Sequence, residues 1–169
     1  MEPRRLFLLG VFGGALMTMT LTFARVLGLP VNLELLLGTL AGVRPGVVAW
    51  VIGLGIHLGL SGLFALVYGW AFQHVPPRHA GWDVGMLYSL VHVFLAGMFL
   101  SVLPTFHPQV PAVLGEPGAF YAEYGLIAVL LFFVVHLIYG AVVGEGVARA
   151  EQRRARARAV RRAQPRPLR

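Results

Sequence analysis

Several residue types are missing or scarce in this sequence. Cysteine is absent, which excludes disulfide bonds, thiolate metal sites and cysteine nucleophiles. Lysine is absent as well, so all 14 basic residues are arginine. Charged residues make up only 12% of the chain, about half of the roughly 25% that is typical of soluble domains. The composition therefore argues against a soluble globular protein.

Long uncharged apolar runs take the place of the missing charges. A helix needs about 20 predominantly apolar residues to cross the hydrocarbon core of a bilayer. Four runs meet or approach that length: Leu6–Ala24, Gly46–Phe72, Val84–Leu103 and Tyr124–Gly144. They predict an all-α, polytopic membrane protein built as a four-helix transmembrane bundle. We divide the chain into a transmembrane domain, 1–148, and a basic tail, 149–169.

The first apolar run has two interpretations. Two arginines, an apolar core and small residues before Arg25 are also the pattern of a secretory signal, whose cleavage would leave three spans. Retaining the run places both termini on one side. Nine of the 14 arginines then lie with the tail, and the loop 104–123 has two glutamates and no basic residue. The positive-inside rule favours this arrangement. We predict a multi-pass protein of the bacterial inner membrane with both termini cytoplasmic.

A short helix is predicted between the first two spans. Asn32 is a good N-cap, and Leu33, Leu36, Leu37 and Leu40 fall on one helical face. The segment Leu33–Ala41 is too short to cross the bilayer. We therefore interpret it as an interfacial or re-entrant helix.

Small residues mark where the spans are expected to pack. Apolar burial cannot bring helices together in lipid, so contacts form where small side chains allow close backbone approach. The residues with the required spacing are Gly10, Gly14 and Thr18 in the first span, Gly55 and Gly59 in the second, and Gly140 and Gly144 in the fourth. Such faces also suit a homo-oligomer or a subunit of a larger membrane complex.

Histidines and tyrosines recur inside three of the spans. Polar side chains in hydrocarbon are expected to face the bundle interior and find partners there. Helical spacing predicts an intramembrane polar layer formed by His57, Ser61, Tyr68, Tyr88, His92, His136 and Tyr139. His57 and His136 are expected at matched depth near the bilayer midplane.

Three roles for this layer stay open. In the first, the histidines are interhelical hydrogen-bonding groups of a structural or accessory membrane component. In the second, His57 and His136 ligate a b-type haem in an electron-transfer or quinone-linked subunit. In the third, the layer is a pathway for protons or a small solute, because histidine titrates near neutral pH. No acid lies within any of the four spans, which weighs against the third.

Enzyme chemistry has little support in the sequence. No nucleophile motif and no paired carboxylates occur within a span, so no catalytic residue is assigned. His107 and Glu116 lie in the third loop, where we expect both to be solvated rather than to bind a metal. The first interpretation requires no cofactor, and haem b belongs only to the second.

The basic tail is compatible with a helix up to about Ala163. Juxtamembrane arginines interact with anionic headgroups, and the candidates for this contact are Arg149, Arg153, Arg154, Arg156 and Arg158. The tail has no aromatic residue to stack on a base, so we do not expect nucleic acid as a partner.

Three segments resemble a known group of proteins. They are ARVLGLPVNLELLLGTLAG after the glycine- and threonine-rich first span, HLGLSGLFALVYG in the second, and VHLIYGAVVGEG closing the last. Together they resemble the YagU-like group of small, uncharacterised four-span bacterial inner-membrane proteins. The resemblance implies a four-helix inner-membrane protein and, for part of the group, a link to acid tolerance. It implies no catalytic residues.

Overall fold

The computed structural model describes residues 1–74 and 81–163, and within these ranges it contains helices and no strand. Four helices are long and apolar enough to cross a membrane. The all-α architecture with four spans, predicted from the apolar runs, is therefore confirmed. In chain order the helices are α1 (Pro3–Val26), α2 (Leu33–Leu40), α3 (Val47–Phe72), α4 (Trp82–Val102) and α5 (Leu126–Ala163). Two short 3₁₀ helices, Leu103–Thr105 and Ala119–Tyr124, lie between α4 and α5.

The predicted N-cap of the short helix is present. The Asn32 side chain accepts a hydrogen bond from the Leu35 amide at 3.2 Å, which satisfies one of the free N–H groups at the start of α2. With 8 residues this helix is too short to span a bilayer. Its predicted face packs inward, since Leu36 and Leu37 are buried while Leu33 and Leu40 are partly buried.

Small residues join the spans in two close pairs. A Cβ atom on Gly10 of α1 would collide with the Ser61 carbonyl of α3, and one on Gly14 would collide with the Ser61 side chain. In the second pair, a Cβ on Gly140 of α5 would collide with the Gly85 carbonyl of α4. Gly144, one turn further on, meets the backbone of α4 in the same way.

The packing role predicted for Gly55 and Gly59 is wrong. Neither has a neighbouring atom within 4 Å of a built Cβ, and Gly55 is exposed. The glycines of α3 that make close approaches are Gly53, Gly62 and Gly69. The reason is helical phase: residues two apart differ by about 200° around the axis, so Gly55 and Gly59 point away from the face that carries His57.

The short helix α2 is docked tightly on α3. A Cβ on Gly38 would collide with the Ala49 carbonyl, and one on Gly53 would collide with the Glu34 carbonyl. Because backbone meets backbone at both points, α2 is held at a fixed height against the bundle. It therefore belongs to the packed domain rather than lying loosely at the interface.

The spans form an incomplete ring. Close packing joins α3 to α1, α1 to α5, and α5 to α4. Along the fourth side, between α3 and α4, the described residues make no comparably close packing. This side of the bundle contains the site described below.

The last helix continues through the predicted boundary between residues 148 and 149. It runs for 38 residues, from Leu126 to Ala163, so the start of the basic tail is an extension of the last span. The amino group of Met1 lies 3.4 Å from Glu151 Oε1. The N-terminus and the start of the tail therefore lie at the same end of the bundle.

Candidate functional site

A cavity of about 360 Å³ lies between α3 and α4. We call it the histidine chamber, because His57, His92 and His136 all line it. Most of its other walls are apolar, and they include the rings of Phe64, Phe99 and Phe132. The cavity is within the size range of small-molecule sites, which begins at roughly 300 Å³.

Three different spans bring the three imidazoles together. His57 lies on α3, His92 on α4 and His136 on α5, and each is at least nine-tenths buried. The ring centroids of His92 and His136 are 4.9 Å apart, with the ring planes nearly perpendicular. Phe64 stacks on His92 at a centroid distance of 3.9 Å. Of the predicted polar residues, these three histidines and Ser61 line this one cavity.

The hydrogen bond of His136 defines which ring nitrogen is free. Its Nδ1 lies 2.6 Å from the backbone carbonyl oxygen of Phe132. A carbonyl can only accept, so Nδ1 must carry the proton and donate it. In the uncharged imidazole, Nε2 is then a bare acceptor. This nitrogen remains for a molecule in the chamber.

His57 is held by two neighbours outside the chamber. Its Nδ1 lies 3.0 Å from Thr18 Oγ1 on α1 and 3.8 Å from Glu34 Oε1 on α2. The threonine hydroxyl can donate or accept, so the tautomer of His57 is adjustable. Thr18, predicted as a packing residue, is thus also a hydrogen-bonding partner between helices.

A buried carboxylate was missed in the sequence. Glu34 has no exposed surface, and its Oε2 lies 2.9 Å from Arg25 Nη1. Its Oε1 has no hydrogen-bond partner among the described residues. Arg25 also donates to the Val31 carbonyl at 3.1 Å. The four apolar runs contain no acid, but α2 carries one to the side of His57.

The predicted tyrosines lie further along the bundle than the histidines. Tyr68 follows His57 by eleven residues, or about 16 Å along α3. Its ring packs against Tyr139 at 5.7 Å and its hydroxyl has no partner among the described residues. Tyr88 and Tyr68 line a second cavity of about 210 Å³ between the same two helices. The polar residues therefore form a column along the open side rather than one layer.

Two hydroxyls of this column join the helices. Tyr139 of α5 donates to the Ser61 carbonyl of α3, and Ser61 in turn donates to the His57 carbonyl at 2.8 Å. Tyr88 of α4 donates to the Ala71 carbonyl of α3 at 3.4 Å. These contacts serve the structural role that the sequence left open.

The third loop contacts α2, and the prediction that His107 is solvated is wrong. Its Nε2 lies 3.1 Å from the Leu36 carbonyl and 3.3 Å from Thr39 Oγ1, and the ring is buried. The loop folds back because α2 offers these acceptors. Tyr121, in the same connection, is also fully enclosed; burial raises the pKa of its phenol, and the negative charge of Glu34 raises it further.

The five arginines of the tail that we assigned to lipid contact are exposed on the extension of α5. Arg149 pairs with Glu145 at 2.7 Å and Arg154 with Glu151 at 3.3 Å. Arg149, Arg153 and Arg154 also line a cavity of about 540 Å³ that Arg5 closes from α1.

No group of three or more histidine, cysteine or acidic side chains within residues 1–74 and 81–163 is arranged to hold a metal ion. His57 and His136, the pair predicted for haem, line the same chamber. The comparisons with known proteins found no matching family model, no matching curated protein and no matching solved structure.

Proposed function

We propose that this chain is an inner-membrane protein, with both termini in the cytoplasm, that binds a small lipid-soluble molecule in the histidine chamber. One observation carries the proposal: three buried imidazoles from three spans line a single cavity whose other walls are mostly apolar. A pocket with apolar walls and a few convergent polar groups is the usual form of a small-molecule site.

The position of the chamber favours entry from the bilayer. The side chains at its mouth are Leu60 of α3 and Leu95 and Phe99 of α4, which are 42%, 58% and 37% exposed. In a membrane these apolar side chains face lipid. A molecule dissolved in the bilayer can therefore reach the imidazoles without crossing the aqueous phase.

A purely structural role accounts for only part of the polar column. It explains Tyr139, whose hydroxyl donates to the backbone carbonyl of Ser61 and so joins two spans. It does not explain His92 and Tyr68, since Nδ1 of the first and the hydroxyl of the second have no partner among the described residues. Buried polar atoms without a partner are uncommon, and a packing role leaves these two without an explanation.

A proton pathway is a second candidate, and Glu34 favours it. The chain of groups from Arg25 through Glu34 to His57 leads from the end of α1 to the chamber. This arrangement supplies the acid that the spans themselves lack. Membership of the YagU-like group stays a proposal and assigns no residue to either function.

Photolabelling in nanodiscs tests the binding proposal. A lipid-soluble aryl diazirine should label the chamber residues Phe64, His92 and Phe99 more strongly than other lipid-facing positions. Ala96→Phe, which fills the chamber, should abolish that excess. The matched control is Leu130→Phe on the lipid face of α5, which should leave it unchanged. Uniform labelling of all lipid-facing helices would contradict the proposal.

A further inference from the structure

We infer that the chamber takes a hydroxylated aromatic lipid, of the phenol or hydroquinone class, in preference to the corresponding quinone. The inference rests on the proposed function and names the ligand class for the same site. It follows from the hydrogen-bonding state of one imidazole and the shape and composition of the walls around it.

The acceptor at His136 selects for a hydroxyl group. Its Nδ1 proton is committed to the Phe132 carbonyl, so Nε2 offers only a lone pair. A ligand hydroxyl can donate to that lone pair. A quinone carbonyl or an ether oxygen can only accept a hydrogen bond. Placed beside His136, it would leave both its own oxygen and Nε2 unpaired in an apolar cavity.

The chamber walls favour a flat ring. Phe64 already stacks on His92, with a centroid distance of 3.9 Å and an interplanar angle of 20°. On α5, the ring centroids of Phe132 and His136 are 4.4 Å apart. Aromatic groups pack well against such surfaces at centroid distances of about 4.5–7 Å. An aliphatic alcohol would make the hydrogen bond without using these ring faces.

A second oxygen on the ring has a partner in His57. The Nδ1 atom of His57 faces Thr18 and Glu34, so Nε2 is the nitrogen left for the chamber. Because the Thr18 hydroxyl can donate or accept, this nitrogen can take either role. His57 therefore accommodates either a hydroxyl or an ether at the second position. Nε2 of His136, by contrast, can pair only with a group that donates a hydrogen bond.

Competition against the aryl diazirine tests the inference on the wild-type protein in anaerobic nanodiscs. The competitors are decylhydroquinone, decylbenzoquinone and the dimethyl ether of the hydroquinone. We expect the hydroquinone to suppress chamber labelling at about tenfold lower concentration than either analogue, because each analogue leaves a buried acceptor unpaired. The His136→Phe variant should remove this difference, whereas His136→Gln, which retains an acceptor, should keep part of it.

The outcomes test the binding site and the class of its ligand separately. Equal competition by all three compounds, or stronger competition by the quinone, would overturn the hydroquinone inference while leaving the chamber as a binding site. Absence of preferential labelling in the first place would overturn both.

Discussion

Glu34 Oε1 lies 3.8 Å from His57 Nδ1, although Glu34 belongs to a helix that is too short to cross the bilayer. The contact exists because two glycines, Gly38 and Gly53, let α2 approach α3 backbone to backbone. It places a carboxylate beside the histidine chamber, within a bundle whose four apolar runs contain no acid. The proton pathway, our second candidate for this site, depends on this packing.

The ion pair between Arg25 and Glu34 should be strongly coupled. Removing one partner of a buried pair leaves an uncompensated charge and typically costs about 3–5 kcal/mol. We expect Arg25→Met to lower the free energy of unfolding by about 3 kcal/mol. The double variant Arg25→Met with Glu34→Leu should regain most of that loss. Thermal unfolding of the wild type, Arg25→Met, Glu34→Leu and the double variant in detergent completes the double-mutant cycle. Additive effects of the two substitutions would contradict the buried pair.

The two sets of glycines on α3 should respond oppositely to alanine. Gly53→Ala forces a Cβ into the Glu34 backbone and should destabilise the fold by about 2 kcal/mol or more. Gly55→Ala has open space and should stabilise the helix by roughly 0.5–1 kcal/mol. Melting temperatures measured side by side check this pair. Equal destabilisation would show that Gly55 packs after all, as in an oligomer.

The absence of cysteine makes the proposed topology testable without background. Single cysteines at Glu2, Arg158 and Glu116 occupy exposed positions. In intact cells, a membrane-impermeant maleimide should label only the cysteine at Glu116. Those at Glu2 and Arg158 should react only after the membrane is opened. Labelling of either terminal cysteine from outside would reverse the proposed orientation.

Haem ligation by His57 and His136 is an alternative that a spectrum can test. The ring of His136 packs against Phe132 at 4.4 Å and against His92 at 4.9 Å. Because these rings occupy space beside the imidazole, we expect a flat visible spectrum for dithionite-reduced protein expressed with added haem. Sharp Soret and α bands, lost in His57→Ala and in His136→Ala, would contradict our assignment of the chamber.

The spans could be predicted because hydropathy is a local property of the chain. Length and lack of charge were sufficient to predict four spans, and the Asn32 cap was sufficient to predict α2. The convergence of His57, His92 and His136 followed from the requirement that polar groups in lipid face inward. These inferences need only helical geometry and the properties of the bilayer.

The wrong or missing predictions concern residues whose surroundings are set by helical phase or by packing between distant segments. Gly55 and Gly59 were selected by their spacing alone, although His57, two residues from each, already indicates that they face lipid. The burial of Glu34 and His107 depends on how α2 docks on α3, which no local pattern specifies. The single acid within the apolar LELLL was the one available signal.

Nitrogen NMR of histidine-labelled protein in bilayers tests the central claim most directly. We predict that His136 shows a protonated Nδ1 and a bare Nε2, and that decylhydroquinone shifts the Nε2 resonance of His136 and the resonances of His57. His107, buried outside the chamber, is the internal control and should not move. Unchanged chamber histidines at saturating ligand, or an equal shift of His107, would contradict the account.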